Sequence, residues 1–299
     1  MDDQKVNDMY QPHDTPNNTF NAFGENEKLG SVLVRQGKLK ETDAFKICEF
    51  QQKKPMLFGE AAVRLKLVSK SDVEQALSTQ FSFPYIDVKK NGLGPDLVIA
   101  HKPFDAEANA IRGIRTQLLF QWDKMEHPTL AIVSPAQGDG KSYLAANLAV
   151  SLAQIGKNTL LIDANLHNPR QHQIFNIGNR LGLSNLLTDE HLNKLVFEME
   201  CIDNLSLLPA GPIPPNPIEL FSNANFRNTL DKYQKNFDVI IIDTPNAVGS
   251  SETKIISSMA RNAIVVGRKD KTNIEQLKEM QEDLQSVDIN ILGGVLNRI

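Results

Sequence analysis

The sequence lacks the features that mark secreted and membrane-spanning proteins. Its two cysteines, Cys48 and Cys201, show neither metal-ligand nor CxxC spacing, which is typical of a reduced cytoplasmic protein. No apolar stretch approaches the ~20 residues that cross a bilayer. The start of the chain, residues 1–4, is acidic and has no apolar core, which excludes a signal peptide. We therefore expect a cytoplasmic protein that does not span a membrane unaided.

Acidic residues outnumber basic residues in the sequence. The formal net charge is -4 and the pI is about 5.9, so the composition gives no sign of a nucleic-acid-binding surface. At 299 residues the chain is long enough for two domains. Residues 1–27 hold six acidic residues against one lysine, with almost no branched aliphatic side chains. Such a segment cannot bury enough apolar area to order itself, and it predicts a disordered acidic tail.

An internal repeat follows the predicted tail, because residues 29–51 recur in pattern as residues 58–80. Each copy predicts two short helices joined by a turn, of which the first helices cover residues 31–36 and 60–65. Ser69, with Asp72 three residues later, predicts a capping box in the second copy. Repeated units bury their apolar faces against each other. We therefore predict a small all-α repeat domain over residues 28–84, which needs no ligand to fold.

Three short apolar runs further along the chain each lead into groups suited to a phosphate or a metal ion. Residues 130–133 enter a Gly-rich loop, while two later runs end in Asp163 and Asp243. Short apolar runs bounded by turn signals predict buried parallel strands, and ligands bind beyond the carboxyl ends of such strands. The pattern predicts an α/β domain over residues 106–299. Its expected fold is a P-loop NTPase-like, mostly parallel sheet flanked by helices, preceded by a linker over residues 85–105.

The Gly-rich loop provides the donors that a nucleotide phosphate needs. Glycines permit positive φ, so successive backbone N–H groups can point at phosphate oxygens, and the helix predicted from Ser142 adds its N-terminal dipole. Lys141 would reach the β- and γ-phosphates, and the Ser142 hydroxyl would ligate magnesium. Asp163 and Asp243 alone could merely cap turns, but beside this loop they are predicted as catalytic and metal-binding carboxylates. The predicted cofactors are ATP and Mg²⁺, and the predicted loop contacts are Gln137, Gly138, Asp139, Gly140, Lys141, Ser142 and Tyr143.

Residues 107–299 resemble the cytoplasmic catalytic domain of bacterial tyrosine kinases that control polysaccharide chain length, especially stand-alone kinases of exosortase-linked exopolysaccharide operons. The matching segments are the family's Walker A, second Walker motif, Walker B and last strand, at residues 134–142, 160–169, 239–245 and 295–297. The resemblance implies that Asn297 faces the adenine. It also implies an ATP-dependent protein tyrosine kinase that regulates exopolysaccharide biosynthesis, chain length or export. A separate membrane-spanning chain-length determinant adaptor would recruit it to the inner face of the cytoplasmic membrane.

Arg112 and Arg115 match two positions of the family's subunit-contact motif, although Asn109 replaces its glutamate. The resemblance implies a homo-oligomer in which both arginines face a neighbouring subunit. Residues three apart on a helix share one face. The alternative is that the two arginines form an ordinary solvated basic face.

Several positions depart from the family pattern. Asn165 and His167 replace an aspartate and an arginine, and the family's C-terminal tyrosine cluster is unmatched. Asn165 predicts a site that needs more magnesium, unless its side chain only caps the next turn. Tyr10, in the predicted tail, is the first candidate for autophosphorylation.

Two alternative functions remain: a switch ATPase like the positioning ATPases, and a nucleotide-sensing module without catalysis. Ala136 stands where positioning ATPases carry a lysine, which favours the kinase over the switch ATPase.

The repeat domain resembles the tandem N-terminal domain of type II secretion and pilus ATPases. Forms of that domain bind cyclic di-GMP, so the resemblance implies this nucleotide as a candidate ligand. The family's arginine is Lys28 in one unit and Leu57 in the other. Arginine is the better planar partner for guanine and phosphate.

Overall fold

The computed structural model describes residues 28–81, 86, 91–122, 128–189, 192 and 195–298. The chain divides into two units, one ending at residue 83 and the other beginning at residue 84. The predicted acidic tail, residues 1–27, lies outside the described residues. None of the helices described is long and apolar enough to cross a membrane.

The first unit is built from two copies of a helical pair. Its helices are α1 (Leu29–Arg35), α2 (Glu41–Lys53), α3 (Phe58–Arg64) and α4 (Lys70–Gln80). The helices of the second copy begin 29 residues after those of the first, as the sequence period requires. The predicted capping box is present, because Asp72 N donates to Ser69 Oγ over 3.1 Å while Ser69 N donates to Asp72 Oδ2 over 3.0 Å.

The repeated glycines explain how these short helices pack. A Cβ atom on Gly30 would lie 3.0 Å from Phe58 Cζ, and a Cβ atom on Gly59 would lie 2.7 Å from Val73 Cγ1. Small residues therefore let α1 approach α3 and let α3 approach α4. The core they enclose includes Val32 and Ile47, both fully buried. The prediction of an all-α unit is confirmed, with the first helix of each copy beginning two residues earlier than expected.

The second unit is an α/β domain around one sheet. Its strands are β1 (Thr129–Val133), β2 (Thr159–Asp163), β3 (Phe197–Glu198), β4 (Leu205–Leu208), β5 (Val239–Asp243), β6 (Asn262–Arg268) and β7 (Asn290–Asn297). Its helices are α5 (Val98–His101), α6 (Ala106–Trp122), α7 (Lys141–Ala153), α8 (Gln171–Ile174), α9 (Leu183–Thr188), α10 (Pro217–Ser222), α11 (Ala224–Gln234), α12 (Ser251–Ala260) and α13 (Ile274–Gln285). The sheet order is β3-β4-β2-β5-β1-β6-β7, and the described pairs are parallel except for β3 with β4.

The central strands are apolar because both faces of the sheet are covered. Along β1, Leu130 and Ile132 contribute to one apolar core, while Ala131 and Val133 contribute to the other. Buried parallel strands characteristically read as continuous apolar runs, so the predictions for β1, β2 and β5 are confirmed. In the register of β2 with β5, Asp163 lies opposite Asp243. Both carboxylates therefore reach the edge of the sheet where the loop after β1 begins.

The predicted linker over residues 85–105 differs from the structure over residues 91–101. Leu97 and Ile99 are fully buried in the core of the second unit. The buried Asn147 on α7 holds this segment, since its Oδ1 accepts from Ile99 N over 3.1 Å and its Nδ2 donates to Asp96 O over 2.8 Å. The Gly and Pro residues that indicated a linker flank a short apolar run, and this run packs on α7.

Candidate active site

The loop between β1 and α7 has the backbone geometry of an anion-binding turn. Gly138 and Gly140 have φ values of 85° and 103°, which L-residues rarely adopt. Helix α7 begins at Lys141 without a side-chain cap, so its first N–H groups have no intrahelical partner. Glycine is required at position 140 for a second reason besides its φ, because a Cβ atom there would lie 2.1 Å from Asn297 Nδ2.

Lys141 lies across this loop. Its Nζ donates to Ser134 Oγ over 2.9 Å and to Ala136 O over 3.3 Å, and the side chain is buried. Burial lowers the pKa of Lys141, while the charges of Asp243 and Asp139 oppose that change. An ammonium group has three donors, so one remains for a phosphate oxygen.

The Asp139 side chain makes its contacts within the protein, and the predicted contact of this loop residue with a nucleotide stays a prediction. Its carboxylate is fully buried, and it accepts from Ala136 N over 3.0 Å and from Thr272 Oγ1 over 2.9 Å. Its carbonyl oxygen accepts from Asn297 Nδ2 over 3.0 Å. The side chain therefore ties the loop to the segment after β6 and to the end of β7. Asn297 was predicted as an adenine contact, and the structure places its amide against the phosphate loop.

Gln137 and Tyr143 are the first and last of the predicted loop contacts. Gln137 is exposed at the tip of the loop. Tyr143, in the first turn of α7, is half-buried, and its hydroxyl lies 3.5 Å from Glu107 Oε2 on α6. Burial, together with the Glu107 charge, raises the pKa of Tyr143 well above its usual range. Tyr143 therefore contacts α6 through its hydroxyl.

Asp163 anchors the segment that follows β2. Its Oδ2 accepts from Arg170 N and Gln171 N, both over 2.9 Å, and its Oδ1 accepts from Asn165 N over 3.2 Å. Burial and the neighbouring Asp243 raise the pKa of Asp163 to about 8, although the three N–H donors oppose the change. The carboxylate thus holds residues 165–171 in place beside the phosphate loop.

Asp243 accepts fewer hydrogen bonds than Asp163 does. It is fully buried, and its Oδ2 accepts from Gln171 Nε2 over 2.8 Å. Its Oδ1 has no hydrogen-bond partner among the described residues. Burial raises the pKa of Asp243, while the hydrogen bond from Gln171 and the charge of Lys141 oppose the change.

This donor set suits a magnesium ion. Mg²⁺ binds oxygen ligands, usually one or two carboxylates together with substrate phosphates and water. Ser142, Asp163 and Asp243 are the predicted protein ligands, and Asp243 Oδ1, which has no partner among the described residues, is a buried acceptor that a cation or its water would satisfy. In the described part of the chain, no group of three or more His, Cys, Asp or Glu residues is placed to hold a metal. The phosphates of a nucleotide would have to complete the coordination.

Two family departures have clear contacts in the structure. Asn165 Oδ1 accepts from Asn168 N over 3.2 Å, so the turn-capping alternative is the contact seen. His167 Nε2 lies 2.9 Å from Glu252 Oε1 on α12. The pKa of Glu252 is lowered despite its burial, because Ser250 and His167 donate to it. No local sequence pattern marks this pair, because its members lie far apart along the chain.

The predicted subunit-contact arginines make contacts within their own unit. Arg112 Nη1 donates to Pro103 O and to Asn109 Oδ1. Arg115 Nη1 donates to Ser151 O and Oγ over 3.0 and 3.2 Å. Both guanidinium groups are half-buried, and the oligomer stays a prediction. Tyr10, the predicted phosphorylation site, lies outside the described residues.

The comparisons with known proteins agree with this geometry. The model of a family described as the AAA domain matches residues 128–291. The tyrosine-protein kinase YwqD of Bacillus subtilis is 32% identical over 68% of this chain and 85% of its own length. The chain belongs to the bacterial tyrosine kinases. CapB of Staphylococcus aureus is 34% identical over 71% of this kinase and 92% of its own chain.

A solved structure supports the same assignment. The crystal structure of the chimerical protein CapA2B2 matches 76% of this kinase and 99% of that chain, with 33% identity and a TM-score of 0.65. Longer relatives also match: the kinase spans 30% of the length of EpsB of Ralstonia nicotianae, with 28% identity. The predictions of the fold and of the kinase family are therefore confirmed.

Proposed function

We propose that this kinase binds Mg-ATP at the loop after β1 and transfers the γ-phosphoryl group to tyrosine hydroxyls. The observation that carries the proposal is the juxtaposition of an uncapped helix N-terminus, the buried Lys141 and two buried carboxylates on adjacent strands. Two like charges side by side in a buried site raise each other's pKa. A cation held with a nucleotide would offset that repulsion.

Each group has a distinct part in this proposal. The N–H groups of the loop and of the first turn of α7 hold the phosphates, and Lys141 directs its remaining donor at the β- and γ-phosphate oxygens. Ser142, Asp163 and Asp243 would hold the magnesium ion, which when bound would supply positive charge to offset the charge of the phosphates. Asp163 fixes the segment that closes this side of the site. Phosphoryl transfer depends mostly on such positioning and charge neutralisation.

The test is ATP binding by the variant Lys141→Ala. Removing a hydrogen bond to a charged phosphate costs about 1.5–3 kcal/mol, which is roughly a 10- to 150-fold weaker affinity for ATP. The exposed Lys235 provides a control, since Lys235→Ala removes the same charge away from the loop. Equal affinities in Lys141→Ala and the wild type would reject this assignment. Transfer itself is read by mapping phosphotyrosine after incubation with Mg-ATP.

We also infer that the kinase acts in exopolysaccharide biosynthesis, chain length or export with a separate membrane-spanning adaptor, from the cytoplasmic side of the membrane. The support is the match of residues 134–142, 160–169 and 239–245 to the motifs of that kinase family. The adaptor's cytoplasmic tail should raise the rate of phosphorylation. No change in rate, with binding absent as well, would remove the adaptor from the proposal.

Two narrower proposals concern assembly and the repeat unit. We expect a homo-oligomer through Arg112 and Arg115, and sedimentation that shows only monomer with and without nucleotide would contradict it. We also expect cyclic di-GMP to bind the repeat unit, supported by helix starts repeated 29 residues apart. Calorimetry with the full chain measures it, and no heat at high micromolar ligand would end the idea.

A further inference from the structure

Gln171 lies at the start of α8, in the middle of the candidate site, although no sequence motif marks it. It is fully buried. Its backbone N–H donates to Asp163 Oδ2 over 2.9 Å, and its side-chain Nε2 donates to Ser142 O over 3.1 Å and to Asp243 Oδ2 over 2.8 Å. One residue therefore contacts all three of the predicted magnesium-binding residues.

The hydrogen-bond pattern determines which way the Gln171 amide faces. A carboxamide has two N–H donors and one acceptor oxygen. Reversing the group would place its oxygen against the Asp243 carboxylate and the Ser142 carbonyl, which are both acceptors. Both donors of Gln171 are thus committed, and its Oε1 is left as an acceptor.

Gln171 Oε1 resembles one carboxylate oxygen of Asp243 in its hydrogen bonding. Gln171 Oε1 and Asp243 Oδ1 are buried, and neither has a hydrogen-bond partner among the described residues. Native proteins rarely leave buried acceptors without a donor. Two such acceptors on side chains in direct contact point to donors that arrive with the ligand, and the waters of a bound magnesium ion are donors of that kind.

From this geometry we propose that Gln171 is a positioning residue for the metal-dependent step. Its amide holds Asp243 through Oδ2, which leaves Asp243 Oδ1 to face the ion. Its own Oε1 accepts a hydrogen bond from an ion-bound water. The inference rests on the proposed function, because the ligand it serves is Mg-ATP. Partners that orient a metal ligand in this way typically contribute 10- to 100-fold to metal affinity.

Substituting the side chain separates this role from a purely structural one. The backbone bond from residue 171 to Asp163 survives in Gln171→Leu, so the loss is confined to the side-chain bonds to Asp243 and Ser142 and to the acceptor Oε1. We expect the magnesium midpoint for binding a fluorescent ATP analogue to rise about tenfold. The affinity for a fluorescent ADP analogue, measured in EDTA, should stay unchanged because no magnesium ion takes part in that binding. Gln173→Leu, exposed on the same helix, is the matched control and should match the wild type.

A double-mutant cycle identifies the route of the effect. In an Asp243→Asn background, Gln171→Leu should raise the magnesium midpoint by less than it does in the wild type, because the carboxylate that it orients is gone and only the water contact of Oε1 is left to lose. Additive effects, an unchanged midpoint, or an equal loss of affinity with and without magnesium would each overturn the inference. Gln171→Met repeats the test if the leucine variant does not fold. Because these measurements are of binding, a wild type that binds Mg-ATP but labels no tyrosine would contradict the kinase proposal alone.

Discussion

Replacing Gly140 with alanine tests the close packing between the phosphate loop and β7. Gly140 has φ of 103°, and an alanine Cβ there would lie 2.1 Å from Asn297 Nδ2 and 3.2 Å from its Cγ. The left-handed backbone costs an L-residue about 1–2 kcal/mol. Displacing Asn297 also breaks its bond to Asp139 O, which contributes about 0.5–1.5 kcal/mol. We expect the unfolding free energy of the second unit to fall by about 1.5–3.5 kcal/mol.

Gly156 provides the control, because its φ is 81° and no atom lies within 4 Å of a Cβ built there. Gly156→Ala should therefore lose only the backbone share, about 1–2 kcal/mol. In an Asn297→Ala background the excess for Gly140→Ala should disappear. Urea unfolding is followed by the fluorescence of Trp122, the single tryptophan of the sequence, which packs on the core of the second unit. Equal losses at both glycines, or an excess that persists without Asn297, would refute the reasoning.

Four further outcomes follow from the site. Burial raises the pKa of Asp163 from 3.8 to about 8, so Mg-ATP binding at pH 7 should release protons, measured by calorimetry in two buffers and lost in Asp163→Asn. Because the folded state then holds more protons than the unfolded chain between these values, the unfolding free energy without nucleotide should fall as pH rises from about 4 to 8. Asn165→Asp keeps an acceptor for Asn168 N and adds a negative charge beside the predicted metal site, so we expect a lower magnesium midpoint, whereas an unchanged midpoint would leave only the turn-capping role. Thr272→Val leaves a buried carboxylate oxygen without its donor, which should cost about 1–3 kcal/mol of unfolding free energy, whereas Thr116→Val on the exposed face of α6 should cost less.

Local signals in the sequence were enough to predict most of the framework. The apolar runs that lead into the Gly-rich loop, Asp163 and Asp243 form the strands β1, β2 and β5, as predicted. The 29-residue repeat and the Ser69 capping box were readable for the same reason. Each depends on periodicity, caps or apolar runs among neighbouring residues, where the chain alone sets the geometry.

Contacts between distant residues decided the rest. The Asp139 carboxylate accepts from Thr272 across 133 positions, a contact that no local pattern predicts. Gln171 reaches Asp243 across 72 positions, and no local pattern distinguishes it from a surface glutamine. Residues 91–101 carry the Gly and Pro signals of a linker, yet Asn147 on another helix supplies the hydrogen bonds that bury them. The sequence by itself determined the strands, the loop and the charged groups that they carry. Only the tertiary structure decided which of those groups form hydrogen bonds within the protein and which are left to bind a ligand, because hydrogen-bond partners are determined by proximity in space.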